Sequence, residues 1–173
     1  MRRLLIVLVV AAGTALCAPI ASAEAPIGVT GGGTGTFAAD LDGDGDIDGS
    51  HFGFGASFRG GVPSGHFMCQ MAGNADILGL PVMLVGGQVT GGWVSPETGT
   101  ALLTGRARVN LAHGMTFTDV PYEVRIFEGG PGVGQMQLTV IGAFDWVPGD
   151  TVPGNGNYDL PIETVATGQI KIN

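Results

Sequence analysis

The sequence predicts an all-β chain: one antiparallel β-sandwich or barrel, with an Asp-rich loop mounted on a hairpin. Three observations carry that expectation. Turn-forming clusters of Gly, Pro, Asn and Ser recur about every ten residues, the spacing of sandwiches and barrels. Between them the apolar residues alternate: Phe52, Phe54, Ala56 and Phe58 fall on one face, with His51, Gly53, Gly55 and Ser57 on the other. No segment of useful length has helical periodicity. Glycine, at 32 of 173 residues, lacks a collagen period, and plentiful Val, Leu, Ile and Phe between the glycines argue for short strands over disorder.

Met1 to Ala23 reads as a secretory signal peptide. Arg2 and Arg3 open it, Leu4 to Ala12 is the apolar run, and Ala21-Ser22-Ala23 is the small-x-small cleavage site. Leu16 is too bulky to make Cys17 a lipoprotein site, and no later hydrophobic stretch suits a membrane anchor. The expected product is secreted or periplasmic, with residues 24–173 forming a single domain. Glu24 to Ile27 is a loose start and Val29 to Phe37 the first strand. The Asp-rich loop (39–51) follows, running into the strand His51 to Phe58. Arg59 to Gly65 is a turn before the strand His66 to Met71. Leu78 to Val85 is a further strand in which Pro81 marks an edge or a bulge. Gly87 to Val94 and Thr100 to Val109 flank the turn Ser95 to Gly99. Tyr122 to Phe127 and Gln135 to Phe144 form a hairpin across Glu128 to Gly132, with Met136, Leu138 and Val140 inward. A Pro, Gly and Asn-rich loop runs from Pro148 to Asn157, and Thr164 to Ile172 closes the domain.

The chemistry is concentrated between the first two strands. Asp40, Asp42, Asp44, Asp46 and Asp48 occupy alternate positions with glycines in most of the gaps. Five carboxylates so close repel one another unless a cation or solvent screens them, and oxygen ligands on a glycine-rich turn suit Ca²⁺. Counted from Asp40, the run resembles the calcium loops of EF-hands and dockerins. Asp40, Asp42 and Asp44 stand at positions one, three and five, Gly45 at six, Asp46 at seven and Ile47 at eight. It departs from them at position twelve, where His51 replaces the bidentate Glu. Glycines on one side and an alternating strand on the other place the loop on a β-hairpin, not between helices. The competing reading is a solvated acidic turn without metal.

A second likeness spans nearly the whole exported part. Val29 to Gly33, Phe52-Gly53-Phe54, Gly65-His66-Phe67, Glu128 to Gly132 and the terminal Thr167 to Ile172 together resemble the bacterial secreted "post-COAP" type β-domain. The resemblance implies an exported β-fold, with the acidic loop as an insertion, and implies no activity.

Charge and motif content narrow the function. Without the leader, 7 − 2 = 5 basic residues face 15 acidic ones, a net charge of 5 − 15 = −10 that disfavours nucleic acid. Cys69 is then the single cysteine and reads as a small buried apolar residue. G-x-S-x-G and H-E-x-x-H are absent, and His51, His66 and His113 are scattered. Asp119, Glu123, Glu128, Asp145 and Asp150 read as solvated loop carboxylates, although two of them could form a glycosidase pair. Asp145-Trp146 with Tyr158-Asp159 could form a carbohydrate platform, but Trp146 and Trp93 are expected in the core. The favoured reading is an exported, non-catalytic structural or binding module with a calcium loop, its partners carbohydrate or cell-surface proteins. A carbohydrate-binding module would show exposed aromatics on one sheet. A small β-barrel hydrolase or isomerase would show polar groups pointing into the barrel.

Overall fold

Alternation decides which face of each strand turns inward, and the sheet closes around that face. The computed structural model describes residues 25–40, 49–77, 80–111 and 114–173. Nine strands run through them: β1 (Ile27–Thr36), β2 (Gly49–Arg59), β3 (Val62–Ile77), β4 (Leu80–Ser95), β5 (Thr100–Leu111), β6 (Thr116–Phe127), β7 (Gln135–Val140), β8 (Tyr158–Asp159) and β9 (Glu163–Ile172). Successive strands β1 to β7 pair antiparallel as a meander, and β9 inserts between β1 and β7. The β6–β7 pairing completes the ring, which is therefore a barrel. The short β8 lies along the last two residues of β7.

Phe52, Phe54, Ala56 and Phe58 are buried as the alternation predicts, and so are Met136, Leu138 and Val140. The wall opposite supplies Ala101, Leu103, Ala107 and Val109 of β5 and Val124 and Ile126 of β6. The interior is apolar, whereas the outer face mixes Ser, Thr, Gln, His and Arg with exposed Met68, Trp93 and Phe127. Among the described residues no helix is long and apolar enough to cross a membrane.

Eight strands leave an interior just wide enough for side chains to fill, and here rings occupy it. Phe52 stacks on Phe54 with centroids 6.0 Å apart, Phe54 on Phe67 at 6.4 Å, and Phe67 on Tyr122 at 5.4 Å. Each such pair adds about 0.5–1.5 kcal/mol beyond its buried area. The rings fit because the wall beneath them lacks side chains. A Cβ on Gly31 would strike the Phe54 ring, and one on Gly105 would press on Tyr122. The Tyr122 hydroxyl then reaches across β5 to donate to the Gln88 carbonyl at 3.1 Å. Burial pushes this phenol up to about 12.

Three elements differ from expectation. Two separate strands were expected here, but Leu80–Val85 and Gly87–Val94 belong to one strand, β4, because Gly86 and Gly87 are paired on both sides instead of turning. A Cβ on Gly87 would strike the β5 backbone at Arg106 and Ala107, so glycine there allows close approach. The strand expected to run to Phe144 stops at Val140, since Gly142 (φ 71°) and Phe144 (φ 62°) are left-handed. Strand β6 extends back through Pro121 to Thr116 across a bulge holding Asp119 at φ 62°. Pro81 sits at the irregularity in β3–β4 pairing, outside the span paired to β5.

The weakest seam of the ring is β7–β9, with two residue pairs, Gln135↔Thr164 and Met136↔Glu163. The β6–β7 turn extends it. Gly129 and Ile170 exchange hydrogen bonds of 3.1 and 2.8 Å, and Val165 donates to the Gly134 carbonyl at 2.8 Å. On the other side of β9, Thr34 pairs with Thr167 but Gly35 with Val165, so Ala166 is an extra residue. That bulge shifts the inward face from Glu163 and Val165 to Ile170 and Ile172.

The ring stack makes a specific demand on stability. Phe54→Asp buries an unpaired charge and should cost several kcal/mol. Gly31→Val, which forces the same ring aside, should cost about 1–3 kcal/mol. Urea unfolding of both variants is the measurement, and an unchanged midpoint for Phe54→Asp would place that ring in solvent.

Candidate functional site

The register places two unlike ends on the barrel. One mouth collects the Thr36–Gly49 end of the first hairpin, Leu111, Val140 and Glu163. The other collects Ile27, Phe58, Thr100, Phe127 and Ile172. The acidic loop belongs to the first mouth. Residues 37–48 join β1 to β2 across the terminal pair Thr36↔Gly49, so the loop caps a hairpin, as expected. Phe37 turns into the core, and Asp40 is exposed where the chain leaves it. Asp42, Asp44, Asp46 and Asp48 lie outside the described residues. His51, at position twelve, is exposed on the outer face of β2 between Thr34 and Gln70.

Just inside this mouth is a polar group that the sequence reading missed. Ser50 and Glu163 are 3 and 2% exposed, and the Ser50 hydroxyl donates to Glu163 Oε2 at 2.6 Å. Gly35 leaves the space: a Cβ there would overlap the Glu163 carboxylate. Burial pushes the Glu163 carboxyl up to about 7, against the opposing pull of the Ser50 hydrogen bonds. Cys69 lies within the same interior. Burial and the neighbouring Glu163 charge raise its thiol far above the ordinary range, and a Ser50 hydrogen bond only partly offsets them. A high-pKa buried thiol is a poor nucleophile, in keeping with the expected role of Cys69 as a small core residue. Glu163 could have been found by counting back from Val165 in steps of two, which puts it on the inward face.

At the same mouth, the segment after β7 is held by carboxylates. Asp145 accepts from the Gly154 and Gly156 amides at 2.7 and 2.9 Å. Asp150 accepts from the amides of Trp146, Val152 and Asp159. Burial pushes its carboxyl up, but those amide bonds outweigh it and hold Asp150 below the ordinary carboxylate range. Asp159 accepts from Thr139 and Asn155 at 2.8 and 2.7 Å. Tyr158 is fully buried beneath and donates to the Pro148 carbonyl at 3.1 Å.

Several expected roles change accordingly. Trp146 is 72% exposed and Trp93 51% exposed, so neither tryptophan is in the core. Trp146 sits at φ 69° on a tight turn with its ring against Gly154, and Trp93 falls on the outward face of β4. Tyr158, being buried, does not join Trp146 in an exposed platform. Of the acidic residues read as solvated, Asp119 and Glu128 are exposed, with Asp119 beside Arg106 at 3.3 Å and Glu128 accepting from the Ile172 amide at 3.3 Å, whereas the less exposed Glu123 pairs with Arg125 at 3.4 Å. His66 is exposed on β3, and His113 lies outside the described residues. No family model, curated protein or solved structure matches the chain.

Two outcomes follow from the buried polar group. Between pH 4.5 and about 7 the folded protein keeps a Glu163 proton that the unfolded chain releases. Stability should therefore fall as pH rises through that window and level off above it. The span of 7 − 4.5 = 2.5 pH units corresponds to a loss on the order of 3 kcal/mol. Glu163→Gln should flatten the dependence in urea unfolding at pH 5 and pH 8; an equally sloped variant would assign the dependence elsewhere. Cys69 should resist a maleimide in the folded protein and react once urea unfolds it. Rapid native labelling would contradict the buried placement.

Proposed function

We propose that the chain is an exported, non-catalytic β-barrel module that acts by binding, with Ca²⁺ held by Asp40, Asp42, Asp44, Asp46 and Asp48. The filled interior carries this reading. Phe52, Phe54, Phe67 and Tyr122 occupy the space in which a barrel enzyme would hold its substrate. The inward polar groups Ser50 and Glu163 are spent on each other and sealed from solvent. Binding is then left to the outer wall and the mouths. The likeness to the post-COAP type domain and the leader-like Met1–Ala23 supply the exported setting.

In the calcium loop, Asp40, Asp42 and Asp44 offer side-chain oxygens and Asp46 its backbone carbonyl, with Asp48 direct or through water. Because His51 brings no carboxylate, another oxygen completes the shell, and affinity falls in the ~10⁻⁴–10⁻³ M range of extracellular modules. At tenfold excess over the dissociation constant, calcium then adds about 1.4 kcal/mol of stability.

The experiment has two arms. Millimolar calcium should raise the melting temperature by a few degrees, and Asp44→Ala should abolish the rise; no response in melts or titration calorimetry reduces the loop to an acidic turn. The purified protein should turn over no member of a glycan and ester panel. Turnover abolished by Asp145→Ala or Glu128→Ala would make the protein an enzyme.

A further inference from the structure

Trp93 stands where a cleft at the Ile27–Phe58 mouth of the barrel meets one on the outer wall. One, of about 240 Å³, passes Ile27 and Phe58 to the Gly60–Gly61 turn. The other, of about 400 Å³, follows Thr100, Leu102, Arg125 and Phe127. Strand register fixes how these side chains are laid out. Trp93 pairs with Leu102, Leu102 with Arg125, and Arg125 with Gln137, giving one row across β4 to β7. The adjoining row is Ser95, Thr100, Phe127 and Gln135. Both rows face outward, since Ala101, Ile126 and Met136 of the same strands are buried inside. Two half-exposed aromatic rings are thus interleaved with hydroxyl, guanidinium and amide groups.

We propose that this wall binds a neutral glycan, with sugar rings stacked on Trp93 and Phe127 and their hydroxyls held by Arg125, Gln137 and Thr100. The inference rests on the reading of the chain as a binding module. A pyranose presents a C–H face to the negative face of an aromatic ring, and an edge of hydroxyls that both donate and accept. The wall answers both demands at strand spacing. Glu123 pairs with the Arg125 guanidinium at 3.4 Å and so restrains it. Gln137 donates to the Leu160 carbonyl at 3.1 Å, which fixes its amide and leaves a second N–H and the carbonyl oxygen to meet a ligand, and the Thr100 hydroxyl is oriented by Thr98 at 2.6 Å. The net charge of −8, with Arg125 already paired, disfavours a polyanion. A protein partner would favour a contiguous apolar centre inside a polar rim. Here polar groups sit between the rings, and the larger cleft has the size of a small-ligand site.

The chain has two tryptophans, and Trp146 stands at the opposite mouth, so Trp146→Phe leaves Trp93 as the single indole reporter. That variant and the wild type are run on native gels containing cellulose-, xylan-, mannan- or starch-type chains, and are titrated with matching oligosaccharides by fluorescence. At least one neutral chain should retard both proteins equally and shift the Trp93 emission. Trp93→Ala and Phe127→Ala should each weaken retention at least tenfold, and Arg125→Ala several-fold, with cooperative melting retained because all three side chains project outward from the barrel. The proposal is overturned if no neutral polysaccharide retards the protein or if Trp93→Ala binds as the wild type does. Trp93-dependent capture of a protein in place of a glycan overturns it equally. Turnover of the bound glycan would instead overturn the non-catalytic reading and leave the site at Trp93 in place.

Discussion

Closing eight strands into a ring fixes the width of the interior, so each large side chain placed there needs a matching gap in the wall. Glycine supplies those gaps. Phe54 lies over Gly31 and Glu163 over Gly35, in each case where a Cβ would collide, and a Cβ on Gly105 would strike the Gln88 carbonyl and press on Tyr122. The glycine content is therefore partly a packing requirement, distinct from the turn-forming role of residues such as Gly60 and Gly61. Interior glycine costs backbone entropy and gives no side-chain burial. Rings lying flat on the bare wall offset this by covering the exposed backbone and stacking on one another, the same rescue that designed sheets use.

A filled interior also separates stability from recognition. The groups inside hold the ring closed, and those that can meet a partner stand on the outer wall or in the loops. Glu163 shows the tension between these roles. It lies at the β7–β9 seam, where direct strand pairing is shortest, and it brings an ionisable group into the apolar barrel. Its hydrogen bond to Ser50 joins β9 to β2 across β1, which ties the seam to the base of the acidic loop.

Much of this was legible in the sequence, and the failures have physical causes. Alternation at Phe52 to Phe58 and Met136 to Val140 located the inward faces, because period two survives wherever pairing is regular. It failed at the bulges. Ala166 shifts the inward face of β9, and the bulge at Asp119 lets β6 extend back through Pro121, ahead of the start expected at Tyr122. Gly86-Gly87 looked like a strand end because sequence cannot tell a glycine that turns from one that lets two backbones approach. The tryptophans were misplaced for a related reason. A large apolar residue is ordinarily assigned to the core, and only the register shows that Trp93 shares the outer row with Arg125 and Gln137. The acidic residues Asp40 to Asp48 stood out from composition alone, whereas Glu163 did not, since a single carboxylate beside a strand looks like any surface acid.

The loop after β7 holds its backbone in a strained form. Phe144 and Trp146 are both left-handed, a conformation that costs a bulky residue of order 1–3 kcal/mol and persists only where the surroundings enforce it. Here the enforcement is visible. Asp145 and Asp150 collect five backbone amides between them, and Phe117 packs edge-on against Phe144 with centroids 5.1 Å apart. Asp145 and Asp150, which resembled loose surface charge in the sequence, form with Asp159 the scaffold of this turn. A chain so rich in acid thus uses its carboxylates in three ways: crowded on the first hairpin, buried at the seam, and bound to backbone amides at the mouth. The local supply of hydrogen-bond donors distinguishes them. Amides at close range hold Asp150 ionised, whereas Glu163, with Ser50 as its donor and burial around it, keeps its proton to about pH 7.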